Sequence, residues 1–150
     1  MAKRYAADVL KWLTGLIALG LAGCTSPGNG DGATGPEATA SIDLYRGFKD
    51  MRIIDNFKLS GGTELAPMST TTDLGVAVAY ALSQHSLVMK LRTRSFMQRG
   101  GDIAFLSAFP GEKEILFAPL TYLRPTGRSM SVAFPEHHVT LTVVEVEPVQ

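Results

Sequence analysis

After residue 41 several runs set apolar residues at every second position, and this period limits the fold more than any other feature of the chain. Alternate side chains of a strand share a face, so such runs build a sheet with a packed side. Ile42-Asp43-Leu44-Tyr45 alternates and reads as a strand ending at Arg46-Gly47. Ser86 to Arg92 sets Leu87, Met89 and Leu91 against Val88, Lys90 and Arg92, the pattern of a half-buried strand. Glu64 to Ser69 reads as a short strand interrupted at Pro67. A loop over Ser107 to Gly111 delivers the chain into a strand from Glu112 to Phe117. Further strands fit Ser129 to Phe134 and the β-branched run Val139 to Val146. Asp73 to Gln84 is the plain helix, with Thr71 or Thr72 placed to cap it and an acid in its first turn. Phe48 to Phe57 is a mixed turn or short helix, and Gly100-Gly101 divides the ambiguous stretch Phe96 to Phe105. No βαβ unit recurs, so the class is α+β with a mixed, mainly antiparallel β core and a few short helices.

The 150 residues are 45% apolar, enough for one domain with its own core. Acids and bases balance to a formal net charge of zero, which leaves no field to draw in a polyanion, so nucleic acid is not an expected partner. The single cysteine, Cys24, excludes a disulfide framework or a cysteine metal site within the chain.

Residues 1–24 support two readings. Lys3, Arg4 and Lys11, then an apolar run into Leu21-Ala22-Gly23-Cys24, have the order of a secretory signal, and the last four residues resemble a bacterial lipobox. Membrane contact would then come through a lipidated Cys24, because the run is shorter than the roughly twenty residues of a span. Alternatively Tyr5, Val9, Trp12 and Leu16 follow at helical spacing and form one face of a domain helix, which would fit a cytoplasmic protein. Residues 25–40 are rich in Gly, Pro, Ser, Thr and Ala and read as a flexible linker, leaving 41–150 as the folded core.

Within that core, Glu112-Lys113-Glu114 carries the sharpest chemical signal. In a strand both carboxylates would point to one side, lining a cleft with two acids. An exposed acidic strand face is the ordinary alternative. Arg46 sits at a strand end beside Gly47, where a guanidinium can reach a phosphate and glycine lets a ligand approach the backbone; an arginine that merely ends a strand looks the same. Ser69-Thr70-Thr71 offers hydroxyls that orient a carboxylate or cap the next helix. His85, His137 and His138 lack metal-ligand spacing, and no metal site is expected. Neither GxGxxG after a strand nor a P-loop occurs.

Taken in order, Leu44-Tyr45-Arg46-Gly47, Ser69-Thr70-Thr71 and Glu112-Lys113-Glu114 resemble the arginine, serine-threonine-serine and glutamate-x-glutamate motifs of arginine-specific mono-ADP-ribosyltransferases. The segments from Gly62 to Ser69 and from Phe105 to Phe117 are similar to the same family. Two departures stand out: the third hydroxyl is Thr71, and a glycine-rich linker lies where many relatives carry a helical lobe before the arginine strand.

That resemblance implies a β core split around an NAD cleft. It implies cleavage of NAD, or of NADP in its place, at the nicotinamide bond, with ADP-ribose passed to a protein arginine and no metal involved. Arg46 would hold a phosphate and Gly47 the nicotinamide amide, with Ser69 and Thr70 beside them. Ser69 would position Glu114, whose carboxylate would bind a ribose hydroxyl and stabilise the oxocarbenium-like charge. Glu112 would orient the acceptor arginine. Tyr80 and Phe109 are the candidates for an aromatic contact with nicotinamide, core packing being the other role open to Tyr80. The competing readings are an NAD glycohydrolase and a non-catalytic NAD- or protein-binding module of the same fold.

Overall fold

The alternating segments pair into one sheet. The computed structural model describes residues 42–95 and 98–149, so the expected N-terminal helix or signal and the linker lie outside it. Strands β1 (Ile42–Phe48), β2 (Gly62–Glu64), β3 (Met68–Thr71), β4 (His85–Thr93), β5 (Gly101–Asp102), β6 (Glu114–Phe117), β7 (Thr121–Phe134) and β8 (Val139–Val149) are joined with helices α1 (Asp55–Ser60) and α2 (Leu74–Ala81). The strand order is β2-β7-β8-β4-β1-β3-β6-β5. Neighbours run antiparallel except β4 and β8, which are parallel. This is the mixed, mainly antiparallel α+β arrangement that the residue period predicts.

Both faces of the central strands are covered. Leu44, Leu87, Met89, Leu91, Val144 and Val146 point to one side, where Met68, Phe117 and Leu123 join them. On the other, Ala77, Val78 and Ala81 of α2 pack on Val88, Leu141 and Val143. Each Val, Leu, Met or Phe among these contributes about 1.5–3 kcal/mol by leaving water. β4 is therefore buried along nearly its whole length rather than half-buried. Lys90 enters the interior because Asp43 meets its Nζ at 2.9 Å and Glu145 stands at 3.7 Å.

The sheet is strongly bent. Four strand spacings separate β2 from β1 in the order, roughly 19 Å if the sheet were flat. Yet Arg46 of β1 and Glu64 of β2 form an ion pair at 3.1 Å. A register irregularity between Pro125 and Ser129, with Gly127 at φ +82°, interrupts β7, and such bulges bend a strand. The bend closes the sheet over the larger apolar cluster and carries β2 to Arg46.

Several boundaries differ from the sequence expectation. β1 runs past Gly47 to Phe48, β7 begins at Thr121, and Pro67 separates β2 from β3 rather than interrupting one strand. The helix cap is Asp73, whose Oδ1 accepts from Gly75 N at 2.8 Å, while Thr71 Oγ1 accepts from Asp73 N at 3.0 Å. Glu112 is outside the strand. A 3-10 turn over Pro110–Glu112 and a left-handed Lys113, φ 50°, precede β6, because a residue in that conformation cannot continue a pleat. His137 and His138 lie in a turn that ends in a left-handed His138.

Candidate active site

Arg46, Gly47, Ser69, Thr70, Tyr80, Phe109, Glu112 and Glu114 all line one cavity of about 400 Å³. That size falls in the range of small-molecule sites, about 300–1,000 Å³. β1 supplies Arg46 and Gly47 to one wall. A Cβ at Gly47 would come within 2.0 Å of the Ala77 carbonyl oxygen, so only glycine lets α2 press this closely on β1. The approach brings Val76, Ala77 and Tyr80 to the cavity.

β3, the sheet neighbour of β1, and β6 beyond it supply the hydroxyls and Glu114. Ser69 Oγ donates to Glu114 Oε1 at 2.5 Å, a short charge-assisted bond that fixes the carboxylate. Thr70 Oγ1 donates to the Ile115 carbonyl at 2.8 Å, and Thr71 Oγ1 to the Glu112 carbonyl at 2.6 Å. The three hydroxyls thus tie β3 to the acidic segment at successive positions. Glu112 reaches the cavity from its turn, where its amide donates to the Phe109 carbonyl at 2.9 Å. Tyr80 Oη lies 3.4 Å from Glu112 Oε1. Tyr80 is 55% exposed, so core packing is not its role, and Phe109 is exposed at 66%.

Some lining residues escaped the sequence reading. Tyr45 is one; burial, and then the charge of Asp43, hold its hydroxyl above the ordinary phenol range, so it stays neutral at physiological pH. Glu64 stands behind the lining, on Arg46, and no local spacing ties it to that arginine eighteen residues earlier. Among the described residues no group of three or more His, Cys, Asp or Glu is arranged to hold a metal. The arrangement offers a cation, a hydroxyl-held carboxylate and a second carboxylate around one hollow.

No family model matches the sequence, and comparison with curated proteins gives no match. Solved structures do resemble it. Plx2a, an ADP-ribosyltransferase toxin from Paenibacillus larvae, superposes with a TM-score of 0.52 at 16% identity, over 73% of this chain and 62% of that one. The enzymatic component C2-I of the C2-toxin from Clostridium botulinum gives 0.51 at 19% identity, over 73% of this chain and 31% of that one. The chain thus matches under two thirds of the length of either toxin structure. The core of this protein has the α+β fold of ADP-ribosyltransferase toxins.

Proposed function

We propose that the domain is a mono-ADP-ribosyltransferase that cleaves NAD at the nicotinamide–ribose bond and transfers ADP-ribose to a protein arginine. The observation that carries this reading is the Ser69–Glu114 hydrogen bond inside a cavity that Arg46, Gly47 and Glu112 also line. Arg46 binds a phosphate of NAD through charge-assisted hydrogen bonds, and the Gly47 backbone meets the nicotinamide amide. Nicotinamide leaves as a neutral base, taking the electrons of the glycosidic bond. The ribose carbon becomes oxocarbenium-like, and the fixed Glu114 carboxylate stabilises that charge while binding a ribose hydroxyl.

Glu112 receives the acceptor. A guanidinium is protonated far above neutral pH, its pKa exceeding about 12, so its nitrogen needs a base beside it to become a nucleophile. Glu112 orients it and takes the proton as the new nitrogen–carbon bond forms. Tyr80 and Phe109 present ring surface toward the nicotinamide, and NADP is an alternative co-substrate. A glycohydrolase would use water in place of the arginine and would have no need of Glu112.

Incubation of the purified protein with labelled NAD and a protein mixture tests the proposal. Nicotinamide release together with label mapped to arginine is the expected result. Label on another residue type rejects the acceptor assignment, release without label selects the glycohydrolase, and binding without release selects a non-catalytic module.

A further inference from the structure

The guanidinium of Arg46 is held on two sides within the protein itself. Its Nη1 donates to Glu64 Oε2 at 3.1 Å, and its Cζ lies 4.8 Å from the centre of the Phe48 ring. Both ends of the ion pair are largely shielded, with side chains only 25% and 27% exposed. Glu64 is itself anchored. Its carbonyl accepts from Leu120 N at 2.8 Å, and its strand pairs with β7 through Thr121.

We propose that Glu64 is a positioning residue of the dinucleotide site, fixing the Arg46 fork so that its remaining donors face a phosphate. The inference rests on the reading of the cavity given above. A single carboxylate oxygen takes one edge of the fork, and a guanidinium has further N–H groups to offer a second anion. Two effects oppose each other here. The Glu64 charge repels a phosphate, whereas its hydrogen bond removes the rotamer freedom that a long arginine side chain otherwise loses on binding. Orientation prevails, because Glu112 and Glu114 line the same cavity as Arg46. A shielded cation freed from Glu64 is drawn to those carboxylates, away from the phosphate and onto the anion that the chemistry requires.

Steady-state nicotinamide release by the purified protein tests this, beside ADP-ribose binding measured by calorimetry. Glu64→Ala should raise KM for NAD about ten-fold while kcat stays within about three-fold, since saturating NAD restores the partner of Arg46. Glu64→Gln keeps size and an acceptor oxygen but loses the charge assistance, so its KM should lie between wild type and Glu64→Ala. In an Arg46→Lys background the Glu64 substitutions should add little, as coupled residues do in a double-mutant cycle. Unchanged or lower KM in both Glu64 variants overturns the proposal, as does an equal rise in the Arg46→Lys background. A wild-type protein that neither cleaves NAD nor binds ADP-ribose instead removes the reading of the cavity, and this inference with it.

Discussion

The Ser69 hydroxyl reaches Glu114 diagonally across two strands: Ser69 pairs with Leu116 and Thr71 with Glu114, yet Ser69 Oγ donates to Glu114 Oε1 at 2.5 Å. Residues two apart on a strand share a face, which lets this hydroxyl lean onto the neighbouring pair and hold the carboxylate in one orientation. A hydrogen bond to a charged group is worth about 1.5–3 kcal/mol, so Ser69→Ala should lower kcat for nicotinamide release about ten- to hundred-fold. Glu114→Gln should reduce it further, because the anion itself is gone. Equal rates in Ser69→Ala and wild type would remove the orienting role.

Glu112 has a different dependence. It is delivered by a turn that Thr71 secures through the Glu112 carbonyl, and its carboxylate meets the Tyr80 hydroxyl, whereas Ser69 holds Glu114. Glu112→Gln should therefore leave nicotinamide release with water as acceptor within about three-fold of wild type, while labelling of protein arginine falls at least about a hundred-fold. Parallel measurement of release and labelling on one preparation reads both. Equal loss of the two reactions would mean that both glutamates serve the cleavage step.

The sequence made the sheet legible because burial follows the period of side chains along a strand, and Leu44, Leu87 and Leu91 do lie in one cluster. It also brought out the three cavity motifs, since each local residue pattern survives in the fold even where its geometry differs. Glu112 shows the limit. Alternation predicts a shared strand face, but the conformation of Lys113 depends on the turn beside it and not on lysine itself. The burial of Lys90 was hidden for a related reason: its partners Asp43 and Glu145 come from strands distant in the chain. Glu64 lay furthest from view, because its contact with Arg46 exists only once the sheet has bent.

Gly47 joins the scaffold to the site. An added methyl would lie 2.0 Å from the Ala77 carbonyl oxygen and 2.9 Å from the Ala81 amide nitrogen, both backbone atoms that cannot swing aside. Gly47→Ala must therefore push α2 off β1, and overpacking of this kind costs typically about 1–3 kcal/mol, with backbone obstruction at the upper end. Thermal unfolding followed by circular dichroism should show a drop in Tm on the order of 10 °C. Nicotinamide release should fall even below the transition, since α2 carries Val76, Ala77 and Tyr80 along the cavity. An unchanged Tm would contradict the close approach.

Acid should act through Glu147. Burial raises the pKa of this carboxyl, but hydrogen bonds from Arg124 and Arg94, with their charges, outweigh it and hold the group below the ordinary glutamate value of 4.5. Arg124 Nη2 donates to Oε2 at 2.7 Å and Arg94 Nη2 donates to Oε1. A carboxyl whose pKa is lower folded than unfolded adds stability that is fully present above the unfolded value and is lost as pH falls through the folded one. Glu147→Gln should accordingly lower Tm at pH about 7, and its difference from wild type should shrink as the pH drops below about 4. Both arginine side chains are more than half exposed, at 68% and 57%, so added salt should narrow the neutral-pH difference as well. Melting curves of the two proteins across pH and ionic strength decide the matter, and a gap that widens on acidification would reverse the sign assigned to this group.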